Sequence, residues 1–314
     1  MTFKKITRLA HRWLGLTSGI VVFIVSLTGC MYVFQDEIRD VTEPWRKVEI
    51  QQKAVLLPSA LSRIAQRLHP DLQVGRIVYV SKDRSAQVLL AGKGAFYTVY
   101  LNPYSGAVLR DQNLRKDFFT IVQFIHIYLL LPAPIGKTIV GVSVFIFLLL
   151  LVTGVCIWWP KRKTQVKRSL TIRLNGKWRR INYDLHSVLG IYVFLIAFII
   201  AFTGLSMSYD WLKKGVNQTV NLGNKFEFEE RIPTVKISGL IDAAQLTDAS
   251  FLETVKRSPH SDMFLITALQ KGSAVLNITV FEKLCFTTRA TAIILMQIMG
   301  VWSRKLITVI KATD

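Results

Sequence analysis

The sequence predicts an α-helical membrane protein with three transmembrane helices, a fourth lost by truncation or frameshift, and two extracytoplasmic α+β domains. Three observations predict it. Of the 314 residues, 51% are hydrophobic and 19% charged, and the mean hydropathy of +0.36 lies well to the apolar side of a soluble domain. Three stretches free of Asp, Glu, Lys and Arg, from Trp13 to Phe34, Thr138 to Trp159 and Ser187 to Tyr209, match the ~20 helical residues that cross a hydrocarbon core. The net charge of +20 gathers beside these stretches, as basic cytoplasmic loops do.

In chain order, residues 1–34 hold the N-terminus and first helix. Lys4, Lys5, Arg8 and Arg12, with no acid among them, keep that end cytoplasmic. Leu27-Thr28-Gly29-Cys30 has the form of a lipidation signal, but the apolar run continues through Met31-Tyr32-Val33-Phe34. Thr-Gly also recurs at Thr153-Gly154 and Thr203-Gly204, which reads as a helix-packing feature.

Residues 35–117 form the first outward domain: a helix over Pro58 to Leu68, strands over Val74 to Val80, Ala86 to Ala91 and Phe96 to Leu101, and a turn at Asn102-Pro103-Tyr104-Ser105-Gly106. Residues 118–160 carry the second span, ending on the interface anchors Trp158 and Trp159. The loop 161–183 is basic and cytoplasmic, with no Asp or Glu between Lys161 and Arg180. Residues 184–209 are the third span. A second, incomplete outward domain over 210–285 holds a helix from Ile237 to Val255 and a hairpin of Asp262 to Leu269 with Ser273 to Phe281, closed around Lys271-Gly272.

The chain repeats itself. His11-Arg12-Trp13-Leu14-Gly15 aligns with His186-Ser187-Val188-Leu189-Gly190, and in the same register Thr28-Gly29 aligns with Thr203-Gly204. Two units of span, outer domain and span call for a fourth helix. A change of reading frame near Phe286 would account for its loss, leaving 286–314 as an aberrant tail and the product impaired.

The chemistry points to histidine. Three cysteines, Cys30, Cys156 and Cys285, are too few and scattered for a disulfide framework. Of five histidines, His69 and His260 each adjoin a proline in an outer domain and read as surface residues. His11, His126 and His186 lie beside apolar spans, where an ionisable side chain is a functional candidate. His11 and His186 open helices that run the same way, so they share one depth and provide two axial imidazoles for a b-type haem, with Gly15 and Gly190 one turn on making room for the macrocycle. A mononuclear zinc or copper site wants more ligands. Arg12, Arg179 and Arg180 are candidate partners for haem propionates. His126 belongs to the outer side, as half of a second haem site whose other ligand would come from the fourth span.

These residues resemble the PepSY-associated transmembrane family, the iron-regulated membrane proteins that include ferrisiderophore reductases. The resemblance rests on His11-Arg12-Trp13-Leu14-Gly15, Asn102-Pro103-Tyr104-Ser105-Gly106, His126 with Leu129-Leu130-Leu131, Gly154 with Trp158-Trp159, and Tyr183-Asp184-Leu185-His186 with Gly190. It implies a multi-pass protein of the bacterial inner membrane with PepSY-like outer domains, whose reductase members hold haem and reduce ferric siderophore to release Fe(II). No glycine-rich dinucleotide motif occurs and the inner loop is too short for a flavin domain, so a quinol or a soluble reductase is expected as electron donor. The contrasting reading is a non-catalytic scaffold whose PepSY-like domains bind a peptide, protease or other partner. Nucleic acid is not expected as a partner, because the basic residues flank spans and no aromatic-interleaved groove accompanies them. A hydrolase has no support in the spacing of Ser, His and Asp.

Overall fold

The computed structural model describes residues 2–160, 162–220, 234–238, 242–259, 261–267, 275–282 and 307–313. The elements in chain order are α1 (Phe3–Val33), α2 (Gln35–Thr42), α3 (Pro58–Leu68), β1 (Gln73–Tyr79), β2 (Ala86–Gly92), β3 (Ala95–Leu101), β4 (Val108–Asn113), α4 (Phe118–Tyr128) and α5 (Ala133–Trp158). They continue with α6 (Val166–Ser169), α7 (Trp178–Ser208), α8 (Asp210–Val220), β5 (Thr234–Ser238), α9 (Ala243–Arg257), β6 (Ser261–Thr267), β7 (Val275–Glu282) and β8 (Ile307–Thr313). Two compact units result, a helical one from residues 1–31 and 122–227 and a sheet unit from 32–121 and 228–314.

In the helical unit, α1, α5 and α7 are long and apolar enough to cross a membrane. A membrane-spanning chain must satisfy its polar groups internally, and the hydroxyls do so on their own helices. Ser18 donates to the Leu14 carbonyl at 2.8 Å, Thr28 to Ile24 at 2.7 Å, and Thr203 to Ile199 at 2.7 Å. All three helices begin several residues before the apolar stretches read from sequence, because apolarity marks the hydrocarbon layer while the helix continues into the interface. Helices α5 and α7 pack through Leu148, Ala201 and Leu205. A Cβ on Gly141 would lie 1.9 Å from the Tyr209 hydroxyl, so only glycine admits this tyrosine.

Helix α4 is a separate short helix rather than the start of the second span. Leu129 and Leu130 both adopt left-handed backbone, with φ of 54° and 58°, and reverse the chain before Pro132 and Ala133 open α5. Such conformations in leucine are strained and persist only where their surroundings fix them. Here Leu129 N–H donates to Ile125 at 2.9 Å and Leu131 N–H to Tyr128 at 2.9 Å, while a Cβ on Gly136 would lie 2.1 Å from the Tyr128 carbonyl oxygen.

In the sheet unit the described strands form one sheet in the order β4-β3-β2-β1-β6-β7-β8-β5, antiparallel except for β5 with β8. The strands of the two predicted outward domains therefore share a sheet, joined where β1 pairs with β6 and Ile77 faces Ile266. Alternation along β2 buries Ala86, Val88 and Leu90 on one face. Together with Leu61, Ala65, Phe251, Ile266 and Ile278 they form the core beneath α3 and α9. Tyr79 stacks on Phe251 at 4.8 Å, and Asp248 of α9 accepts from the Ser59 backbone N–H at 2.9 Å and hydroxyl at 2.6 Å, capping α3. The turn at Asn102 to Gly106 forms as read: Asn102 Oδ1 accepts from Tyr104 N–H at 2.9 Å and Gly106 sits at φ 76°.

Two expectations change, and one stretch gains a described strand. Ile237 and Ser238 belong to β5, and the helix begins only at Ala243, because Thr234-Val235-Lys236-Ile237 is a β-branched run that prefers a strand. Within the tail read as aberrant, Ile307–Thr313 forms β8 along β7, again from a β-branched run. His69 is not a free surface residue: its side chain is 17% exposed, bonded through Nε2 to Asp111 at 2.9 Å and tilted against Tyr97. His260, Cys285, the Lys271-Gly272 turn and Phe286 lie outside the described residues.

A salt-bridge network covers α2 and the start of α4. Arg39 joins Asp117 at 2.6 Å and Glu43 at 2.8 Å, Arg46 joins Asp36 at 2.8 Å, and Arg84 grips Asp40 with both guanidinium nitrogens. Asp117 also accepts from the Thr120 N–H at 2.8 Å, which makes it the N-cap of α4.

Candidate functional site

The sequence singles out His11, His126 and His186, and the fold brings the first and last together. Their ring centroids are 6.3 Å apart with planes inclined by 68°. His11 lies on α1, and its Nδ1 is 2.9 Å from the Thr153 hydroxyl on α5. That hydroxyl donates its one proton to the Leu149 carbonyl at 2.8 Å, so toward His11 it accepts. With the hydroxyl turned to Leu149, His11 would carry its proton on Nδ1 and present Nε2 as a bare donor of electrons. Gly154 completes the seat, since a Cβ there would stand 3.5 Å from His11 Cε1. The neighbourhood of the pair is open: a Cβ on Gly190 would meet nothing within 4 Å, and one on Gly15 only Leu150 at 3.9 Å.

His126 stands apart and is held by the same device. The turn after α4 lays it on α1, where Nδ1 donates to the Val25 carbonyl at 2.9 Å and lies 3.4 Å from the Thr28 hydroxyl. A carbonyl only accepts, so His126 too keeps its proton on Nδ1 and leaves Nε2 free. Gly29 is required here, because a Cβ would come within 2.9 Å of His126 Cε1. No second histidine ring contacts His126 among the described residues.

Thr153-Gly154 and Thr28-Gly29 are thus histidine seats, each on the helix facing its histidine. The sequence signal was present in the recurrence of Thr-Gly, but it carried only a packing meaning because nothing in it says which helix faces which. The third pair, Thr203-Gly204, seats no histidine among the described residues, and a Cβ on Gly204 would meet nothing within 4 Å. The arginines considered for propionates are differently placed: Arg180 pairs with Asp184 at 3.0 Å, and Arg12 lies over Trp13 at 5.9 Å. No group of three or more His, Cys, Asp or Glu side chains able to hold a metal occurs among the described residues.

Set against known families, residues 8–275 match the model described as the PepSY-associated TM region. The chain belongs to this family. A comparison with curated proteins finds no match. Membership in the PepSY-associated TM family joins three spanning helices and a sheet unit in one multi-pass membrane protein, with a lipid bilayer as the surroundings of α1, α5 and α7.

Proposed function

We propose that this PepSY-associated TM protein is a haem-containing electron carrier of the bacterial inner membrane that passes electrons to a ferric siderophore or another iron complex and so releases Fe(II). The observation that carries the reading is the His11–His186 pair. Two imidazoles sharing one metal ion would stand with ring centres roughly 6 Å apart, from metal–nitrogen distances of about 2 Å and ring centres about 1 Å beyond each nitrogen. The separation here is 6.3 Å. Thr153 supports the same assignment, because metal-bound imidazoles characteristically have the other nitrogen fixed by a hydrogen-bond partner. The open flanks at Gly15 and Gly190 suit a planar macrocycle.

When bound, haem b supplies reversible one-electron chemistry between the two imidazoles. The protein's own residues do the rest: His11 and His186 hold the iron, Thr153 orients His11, and the apolar helices exclude water. The basic N-terminus and the basic loop between α5 and α7 put this pair near the cytoplasmic face, where a quinol or a soluble reductase delivers electrons. His126, with its free Nε2, stands toward the extracytoplasmic side as half of a second haem site, and no second histidine meets it among the described residues.

The test is full-length protein in haem-loaded liposomes with a ferric siderophore on the side of the sheet unit, a reductant on the other, and a chromogenic Fe(II) chelator as readout. Fe(II) should form with wild type, at the reduced rate of a chain with half an outer site, and fall to the protein-free level with His186→Ala. Equal rates in both, or none from haem-saturated wild type, would overturn the assignment.

A further inference from the structure

A cavity of about 330 Å³ opens between the end of α5, the segment around α6 and the first turns of α7. Trp158, Arg168, Arg180, Tyr183, Asp184 and Ser187 line it. Two observations define what it suits. Asp184 is a carboxylate with a side chain only 7% exposed, near the end of a membrane helix, where such a group is costly and functional by default. Arg180 donates from Nε to Oδ2 at 3.2 Å and brings Nη2 within 3.0 Å of Oδ1 as an ion pair, and each oxygen retains capacity to accept.

Arg180 and Asp184 neutralise each other in the wall, and among the described residues Arg168 remains as the uncompensated charge of the lining. A neutral ring with a hydroxyl to give to Asp184 and an oxygen to accept from Ser187 or Arg168 uses these groups without breaking the pair. Aromatic lining comes from Trp158, whose indole is fixed by donation to the Ser169 carbonyl at 3.1 Å, and from Tyr183, whose ring lies 5.6 Å from the Arg180 guanidinium. The volume is at the small end of ligand pockets, about 300–1,000 Å³, which suits a single ring. Trp158 and Trp159 are the interfacial pair of this helix end, so an apolar tail can leave into lipid. Tyr183, Asp184 and Ser187 lie within one turn of His186.

We propose that this cavity binds the headgroup of a membrane quinol. Its role as the electron source rests on the haem reading of His11 and His186; its binding does not.

The test is calorimetric titration of the full-length protein in nanodiscs with a short-tailed benzoquinol kept reduced under anaerobic conditions, with empty nanodiscs as the blank. Saturable one-to-one binding is expected, weakened at least about tenfold by Asp184→Asn, which removes the charged acceptor, and by Ser187→Leu, which fills the cavity. Should either variant fail to give the wild-type melting curve, Thr171→Leu on the opposite wall takes its place. His186→Ala is expected to keep the binding, so loss of haem in that variant does not touch this proposal. Absence of saturable binding to wild type overturns it, as does binding indifferent to all three cavity variants. Displacement of the benzoquinol by anionic phospholipid added to the nanodiscs would make the cavity a lipid headgroup site and likewise overturn it.

Discussion

The helical unit and the sheet unit use polar side chains for different ends. Within the apolar spans, hydroxyls return to their own helix; of the contacts that cross between helices, Thr153 reaches His11 and Val25 and Thr28 reach His126, while the Tyr209 hydroxyl donates to the Lys137 carbonyl at the end of the bundle. In the sheet unit, charges are linked into a network in which Arg39, Glu43 and Asp117 are nearly buried and Arg84 and Arg46 share Asp40. The difference teaches where stability and function reside. In hydrocarbon a polar cross-contact is costly to place, and the histidines hold most of the few that occur there; outside it, such contacts fix the ends of elements such as α2 and α4.

If that division holds, substitutions in one unit leave the other's readout alone. The largest effect is expected for Arg39→Ala, which strands the Asp117 carboxylate at 3% side-chain exposure. Loss of one partner of a buried pair costs about 3–5 kcal/mol, to be read from urea unfolding of the sheet unit by circular dichroism. The absorption spectrum of the histidine centre should not change, and a change there would break the comparison.

Next in size, Thr153→Val should weaken haem binding about 10–100-fold, the usual effect of removing a group that orients a metal-bound imidazole. Thr28→Val should leave that affinity as it was, and haem titration of both variants measures the contrast.

A glycine pair sharpens the same point. Gly29→Ala forces a methyl to within 2.9 Å of His126 Cε1 and should cost about 1–3 kcal/mol, whereas Gly204→Ala meets nothing within 4 Å and should be neutral. Thermal melting of the two variants in one detergent distinguishes them.

The smallest effect is a pH dependence confined to the sheet unit. The Arg84 hydrogen bonds hold the Asp40 carboxyl below the ordinary carboxylate range, opposed by partial burial and helped by the Arg46 charge. Burial opposes ionisation of Asp117, but hydrogen bonds from Arg39 and Thr120 outweigh it and lower its pKa as well. Both carboxyls bind protons more readily in the unfolded chain. Their stabilisation is therefore complete above an unfolded Asp value of about 3.9 and is lost as the pH falls through the lower folded values. Glu43, pushed up by burial, acts with the opposite sign and offsets part of that loss. Acid titration of the unfolding midpoint should show the decline, and Asp40→Asn should flatten it.

Much of this was legible in the sequence. The three spans follow from uncharged apolar runs, and the His11–His186 pairing follows from two like-directed helices that carry the same His and Gly register. Pro58 to Leu68 forms a helix with the bounds its spacing predicts. What escaped depends on facing partners. Thr153-Gly154 becomes a histidine seat only because α1 crosses it, and nothing local announces that β1 will pair with β6. The turn at Leu129-Leu130 escaped for another reason: leucine does not favour left-handed backbone, and contacts around Tyr128 and Gly136 impose it.

The most direct test of the central claim is the dithionite-reduced minus oxidised absorption spectrum of the full-length, haem-saturated protein beside His11→Ala and His186→Ala. Sharp b-type bands in wild type that are lost in each variant are predicted. A featureless spectrum from folded wild type, or bands that survive both substitutions, would contradict the assignment of His11 and His186 as the two ligands of one iron.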